Sequence, residues 1–390
     1  MATAPSPPAS VYADVAGTPR LTLNLTHACN MACTYCYAGE KTASAMSAET
    51  GRAAIDLALA ALAPRRASSL EIAFFGGEPL MAWVRLVDLA EYARAAAERV
   101  RIPLTFQVTT NGTLLTPGRL EALKRLGFHI ALSLDGVPEA HDATRPMASG
   151  KPSGSTVWEA LDLALERFPG LTVISVLDPA NVAFLGESIE AFTSRGVRRL
   201  ALNPNWNARW PEAALVSWRA GYERAAVRYL EAYRAAQAFE LNVFDDKIVL
   251  HLIGPSRRLH GCGFGQWDLA VAPSGRLYPC GRVVGEDRDA SMVLGDVACG
   301  VTRTAAAPAR EESDLPEPCR GCALRARCAS HCGCANREAT GDPRLPGEVL
   351  CWHERMSIPI ADRVASTLFA ERDATFIHRF YGDLSPKEGN

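Results

Sequence analysis

The sequence has no apolar run long enough to cross a bilayer, and its first residues lack the basic and then apolar stretches of a signal peptide. A cytoplasmic protein without membrane contact is therefore expected. Charge of one sign is also missing: 41 Lys and Arg stand against 43 Asp and Glu, for a net charge of −2. Nucleic acid is accordingly not an expected partner. Cysteine is absent from every position between 37 and 261, yet the chain holds 12: three at 29, 33 and 36, and the rest between 262 and 351. In a reducing compartment such cysteines serve metal or redox chemistry more often than disulfides, and the gap divides them into two sites. What is present suffices for a full core, since 48 % of the 390 residues are hydrophobic and only 22 % charged. That length suits one large α/β barrel with an appended module better than two or three average domains.

Residues 1–19, rich in Pro, Ala and Ser, read as a flexible arm. From Leu21 onward short apolar or alternating runs are each followed by an amphipathic stretch. The strand candidates are LTLNLT from 21, EIAFFG from 71, LTFQVT from 104, HIALSL from 129, LTVISV from 171 and RRLALN from 198. Helices are expected over 48–62, 82–99, 116–126, 155–168, 183–195 and 211–236. Six successive β-then-α units imply a parallel sheet with right-handed crossovers, and six strands suit a partial barrel rather than a closed eight-strand one. The expected fold is thus α/β, a partial (β/α)6 TIM-type barrel over 20–245. A small cysteine-rich domain follows over 255–355, where Gly, Pro and Cys leave too little apolar surface for a core and metal is expected to hold the segment. It carries one hairpin signal, LAVAPSGRLYPC from 269. A helix over 352–371 closes the chain, with residues 356–390 forming the C-terminal helix and tail.

Cys29, Cys33 and Cys36 follow the first strand on one loop, at the barrel mouth where such folds place their chemistry. Geometry favours one shared metal centre. Zinc, with His27 as fourth ligand, is one occupant; a cubane cluster with one iron left open is the other. The pattern Cys-x-x-x-Cys-x-x-Cys, here with Tyr37 after it, resembles the radical S-adenosylmethionine (SAM) superfamily, which implies a 4Fe–4S cluster whose open iron chelates SAM. Gly76-Gly77-Glu78 at the end of the second strand is similar to the family segment whose backbone receives the SAM amino group; a plain Gly-Gly turn is the alternative. Thr109 and Asn111 end the third strand, and Ser133 and Asp135 end the fourth. Arg145 comes 12 residues after Ser133, and the resemblance implies that this Ser and Arg bind the SAM carboxylate, a role suited to a guanidinium. Tyr35 and Asn203 complete the expected SAM site, Asn203 facing adenosine or substrate. His141 and Asp142 read equally well as a loop hydrogen-bond pair, and Trp206 and Trp210 receive no role.

The C-terminal spacing is informative: Cys262, then Gly275 and Cys280, then Cys319, Cys322, Cys328 and Cys332, then Cys351. A zinc ribbon is the plain reading. The full set resembles the seven-cysteine SPASM extension of radical SAM enzymes that modify peptides or proteins, and the resemblance implies two auxiliary 4Fe–4S clusters, three clusters in all. Cys319, Cys322, Cys328 and Cys351 would hold the outer one, and Cys262, Cys280 and Cys332 the one nearer the barrel, with Cys334 the candidate fourth ligand. Cys299 matches nothing in that pattern and is expected to be a buried structural thiol.

The chemistry so implied is reductive cleavage of SAM to a 5′-deoxyadenosyl radical at the Cys29/Cys33/Cys36 cluster. No side chain is needed as general base for that step, and none is assigned as catalytic. Auxiliary clusters that accept an electron make net oxidation the expected outcome. Anaerobic sulfatase-maturing enzymes share the SLDG, HD and Arg pattern, yet place an acidic residue after the cysteine equivalent to Cys280, where this chain has Gly281; formylglycine formation then lacks its expected base. Maturation of a ribosomally made precursor peptide, by a cyclophane-type carbon–carbon or a thioether crosslink, is preferred. A non-enzymatic iron–sulfur electron carrier is the reading from another class. The expected partners are the precursor peptide and an electron donor such as a flavodoxin or ferredoxin; since Cys29 comes too early for an N-terminal leader-binding domain, leader recognition would fall to the barrel edge, the SPASM region or a separate leader-recognition protein.

Overall fold

The computed structural model describes residues 18–65, 69–253, 263–265, 268–305, 315–329 and 332–382. All but the last two residues of the expected N-terminal arm, and Cys262, lie outside them.

Parallel strands β1 (Arg20–Asn24), β2 (Leu70–Phe75), β3 (Leu104–Thr110), β4 (Phe128–Ser133), β5 (Thr172–Leu177) and β6 (Arg199–Pro204) follow one another in space as in sequence. The helices between and after them are α1 (Ala48–Leu62), α2 (Trp83–Val100), α3 (Pro117–Arg125), α4 (Pro138–Asp142), α5 (Gly154–Leu165), α6 (Leu185–Ser194) and α7 (Glu212–Arg234). Their starts are set locally. Ser47 caps α1 by accepting from the Thr50 N–H, and Thr116 does the same for α3 with Pro117 at the first helical position, where its missing N–H costs nothing. Alternation in the strands sorts the two faces. Phe74, Phe106 and Phe128 form one ring cluster, with the Arg94 guanidinium of α2 over Phe106, so this face looks toward the helices. Phe75, one residue on from Phe74, stacks on Tyr37 on the other face, inside the barrel.

After α7 the barrel adds elements outside the sequence pattern, among them a short seventh parallel strand, β7 (Glu240–Leu241), and α8 (Asn242–Ile253). The cysteine-rich segment also departs from a separate module. Its hairpin, β8 (Asp268–Val271) and β9 (Arg276–Tyr278), joins the barrel sheet, β8 lying parallel to β1 with Leu21 opposite Leu269. Short strands β10 (Gly295–Asp296) and β11 (Gly300–Val301) extend it to eleven strands in the order β11-β10-β9-β8-β1-β2-β3-β4-β5-β6-β7. The barrel is therefore open, and the β1 edge, whose N–H and C=O groups would otherwise be unpaired, is covered. Three helices follow: α9 (Gly333–Thr340), α10 (Glu348–Ala370) and α11 (Ala374–Tyr381). α10 begins four residues before the expected closing helix and packs on α7 and α8. Trp206 and Trp210 serve that packing, Trp210 stacking on Trp218 with ring centres 4.1 Å apart and Trp206 meeting His353 edge-on. At the α8–α10 seam Lys247 donates to Glu354 at 2.6 Å, and His353 bridges Glu354 to Tyr222. No helix among the described residues is long and apolar enough to cross a membrane.

Candidate functional site

A cavity of about 960 Å³ opens at the C-terminal ends of the parallel strands, the end where this architecture gathers its chemistry. β1 runs straight into the loop that carries Cys29, Cys33 and Cys36, and all three thiols face the cavity. The loop is held by backbone contacts from several elements: Leu25 N–H to Phe75 O, Ala32 N–H to Pro146 O and Thr34 N–H to Thr144 O, each at 2.9 Å. Burial pushes the Cys29 thiol up and that of Cys33 to about 11. A thiolate here thus needs a compensating cation, which a metal centre supplies. Lys41 Nζ lies 2.7 Å from Cys36 Sγ. The donor set, three thiols on one loop beside a further pocket wall, fits an iron–sulfur cluster with an open position.

The other expected contacts fall into two sets. Gly76, Gly77, Thr109, Asn111, Ser133 and Asn203 line the cavity from the ends of successive strands. The two glycines have a packing reason: a Cβ at Gly76 would sit 2.5 Å from Thr26 O, and one at Gly77 2.2 Å from Ala28 O. Only glycine lets this turn lie against the cysteine loop, where Gly77 and Glu78 donate to Thr26 O and Ala28 O. Glu78 lines the cavity, but its carboxylate is already engaged by Leu80 N–H, Thr110 Oγ1 and Asn111 N–H at 2.7–3.0 Å. Asp135 is the exception, because it does not line the cavity. It lies behind the wall, where it accepts from Tyr35 Oη at 2.5 Å, Thr144 Oγ1 at 2.8 Å and Val176 N–H at 3.0 Å. The turn at Gly136, with φ +146°, then carries the chain from β4 into α4. Arg145 donates to Tyr35 Oη at 2.7 Å and keeps its Nε buried without a partner. Burial works against its charge, yet Tyr35, Asp135 and Cys33 outweigh that, so the guanidinium stays a cation facing the cavity. A buried cation with an unused donor is what an anionic ligand group requires. His141 and Asp142 are loop-holding residues: His141 Nδ1 accepts from the Asp135 N–H, and Asp142 Oδ1 from the Ser153 and Gly154 N–H groups.

Among the described residues the later cysteines other than Cys299 gather into two groups. Cys319, Cys322, Cys328 and Cys351 share one small pocket with Glu354. Cys280, Cys332 and Cys334 meet at the barrel side, Cys332 Sγ lying 3.4 Å from Cys334 Sγ, and their proximity together with burial raises the Cys334 thiol well above its ordinary range. Cys262 lies outside the described residues. Cys299 is exposed, not buried. It sits on the tight turn between β10 and β11, where Asp296 accepts its N–H, and a two-strand hairpin has no interior to bury it in. Sequence reading missed Arg282 and Glu338, which line the cavity beside the cysteine loop and pair at 2.6 Å. Their signal was position: Arg282 two residues after Cys280, Glu338 one helical turn after Cys334.

An open parallel barrel whose first strand delivers three cysteines to a cavity, with a glycine turn, an Asn, a Ser and a buried Arg around it, defines a radical SAM enzyme. Residues 23–190 match the family profile described as Radical SAM superfamily. The PqqA peptide cyclase of Ruegeria pomeroyi is 30 % identical over 336 residues, 82 % of this chain and 83 % of that one. The serine-type anaerobic sulfatase-maturating enzyme of Klebsiella aerogenes is 26 % identical over 342 residues, 82 % of this chain and 80 % of that one. Among solved structures, native anSMEcpe with bound AdoMet and Cp18Cys peptide shares the fold with a TM-score of 0.72 at 19 % identity, over 90 % of this chain and 99 % of that one. This chain belongs to the radical SAM superfamily. It is an enzyme of the maturase type, and SAM and a 4Fe–4S cluster are its cofactors.

Proposed function

We propose that this enzyme oxidises a ribosomally made precursor peptide and closes a cyclophane-type carbon–carbon or a thioether crosslink within it. The observation that carries the reading is the cavity itself. One part of its wall is the Cys29/Cys33/Cys36 loop; an adjoining part comes from the segment that gathers Cys280, Cys332 and Cys334. At about 960 Å³ it is at the upper end of ligand pockets, room for SAM and one substrate side chain together. When bound, SAM and the first cluster supply the 5′-deoxyadenosyl radical that takes a hydrogen atom, and two auxiliary 4Fe–4S clusters of the SPASM type supply a sink for one electron.

The chain's own residues bind and orient. Arg145 and Ser133 hold the SAM carboxylate, the Gly76-Gly77 backbone its amino group, and Thr109, Asn111 and Asn203 the rest of the molecule. Asp135 acts through Tyr35 and Arg145, fixing the guanidinium toward the ligand. Cys319, Cys322, Cys328 and Cys351 hold the outer auxiliary cluster, and Cys280, Cys332 and Cys334, with Cys262, the inner one. A flavodoxin or ferredoxin delivers the electrons, and a separate protein recognises the peptide's leader.

The test is co-expression with the short peptide encoded beside the gene. A product lighter by two hydrogens, with fragmentation silenced between the joined residues, is expected; 5′-deoxyadenosine should form with wild type and vanish in C33A. An unmodified peptide despite ample 5′-deoxyadenosine sinks the crosslinking reading. The similarity to the Klebsiella enzyme favours a second reading, oxidation of a sulfatase Ser or Cys to formylglycine, and a sulfatase-derived peptide tests it in the same assay.

A further inference from the structure

Oxidation of a C–H bond sheds a proton as well as an electron, and Gly281 offers no side chain to receive it. The structure brings a carboxylate to the same cavity from another element. Glu338, on α9, lines the wall that adjoins the cysteine loop. Its Oε2 accepts from Arg282 Nη2 at 2.6 Å, and its Oε1 is shielded from water with no hydrogen-bond partner. Arg282 in turn lies over the ring of Tyr37, the residue after Cys36, with 5.8 Å to the ring centre, and Tyr37 stacks on Phe75 inside the barrel. Glu338 is thus fixed by one oxygen and free by the other, within a wall braced against the radical-forming loop.

We propose that Glu338 accepts the substrate proton in the oxidative step, an inference that rests on the oxidative reading above. The balance is as follows. A substrate C–H bond breaks as its hydrogen atom passes to the 5′-deoxyadenosyl radical, giving 5′-deoxyadenosine. The carbon radical closes onto its partner group, forming the crosslink bond. The partner group's own C–H or S–H bond then breaks: its proton passes to Glu338 Oε1, and the electron left behind has its acceptor in the cluster that Cys280, Cys332 and Cys334 would hold. Burial raises the Glu338 carboxyl above its ordinary value against the pull of Arg282, the direction that favours proton uptake. The other charged or titratable groups around it are Arg337, paired with Asp289, the thiols of Cys280, Cys332 and Cys334 around Arg282, and Tyr37. A base here also removes the objection that Gly281 raises to formylglycine formation, so the substrate, and not the base, separates the two readings.

The test compares 5′-deoxyadenosine formed with peptide oxidised, in wild type and in E338Q, which keeps an acceptor for Arg282 but cannot take a proton. The expected result is a ratio raised at least tenfold, with unmodified peptide recovered carrying solvent deuterium when the reaction is run in deuterated buffer and quenched. E338D should restore most of the coupling. In wild type the yield of oxidised peptide per 5′-deoxyadenosine should fall as the pH is lowered through the Glu338 carboxyl. This limb needs no variant, so a poorly folding E338Q still leaves the proposal open to refutation. A wild-type ratio in E338Q, or a yield flat with pH, overturns the role of Glu338. If wild type oxidises no precursor peptide, the substrate reading fails instead, and the same ratio is measured on the sulfatase-derived peptide.

Discussion

The barrel and the cysteine-rich segment after residue 263 belong to one sheet but are held by different forces. In the barrel, alternating strands such as Leu21–Leu23–Leu25 and Ile72–Phe74 bury completely against α1 and α2 in one continuous apolar core. In the later segment the separate apolar cluster amounts to Phe264, Ala270, Ala272, Tyr278, Val284, Met292 and Cys334. Such a cluster is too small to offset the ordering of so long a stretch, much of it turn and short helix. Apart from Leu269, Val271, Leu277, Leu294 and Val301, which join the barrel core, what remains is cysteine and charge: the two thiol groups, the Arg282–Glu338 pair, and Lys247 reaching from α8 to Glu354 and to the carbonyl of Arg327. A region folded by apolar burial tolerates loss of its cofactor, whereas one folded around ligands does not.

That difference is open to attack in three ways. The largest effect is expected from stripping iron with a chelator: amide exchange over residues 268–351 should speed up until little protection remains, while β2 to β5 keep theirs. Equal loss in both regions would show that the barrel, too, depends on metal. Next comes K247M, which leaves the Glu354 carboxylate buried beside His353 without its cation. Glu354 also accepts the Ala329 N–H next to Cys328, so a destabilisation of about 3–5 kcal/mol, read as a lowered melting temperature, should be accompanied by loss of iron from the outer site. The smallest is D135N. It weakens the hold on Tyr35 and Arg145 without touching the cavity, and SAM affinity measured calorimetrically on the iron-loaded enzyme should fall about tenfold, the order of one charged hydrogen bond at ~1.5 kcal/mol. An unchanged affinity would remove Asp135 from the account of the site.

The barrel was legible because its six main strands alternate or run apolar at strand length and its helices carry caps, so local pattern and global packing agree. The six expected helices differ from those observed by three residues or fewer at either end. β7 escaped because two residues carry no period, and α8 because its apolar positions are spread around the helix rather than along one stripe. The cysteine loop and its glycine turn were readable because their chemistry demands fixed residue types at fixed spacing. Glu338 and Arg282 were not, because their nearness in sequence to Cys334 and Cys280 does not say that the fold of α9 brings the two together at the barrel mouth. Cys299 misled because free cysteine is usually buried, and here a hairpin turn outranks that preference.

The pairing of β8 with β1 has a consequence for electron flow. β1 leads directly into Cys29, and β9, the strand beyond β8, leads into Cys280, so the two stations, the first cysteine loop and the proposed auxiliary-cluster site, hang from one ladder two strands apart, pinned further by Thr22 donating to Asp268 and Asn24 to the carbonyl of Val271. Tunnelling distance is then a matter of strand register and not of linker length. A single-residue insertion in β8 would turn each following side chain to the opposite face and displace one station relative to the other, whereas insertions in the loops beyond Cys280 leave that spacing alone.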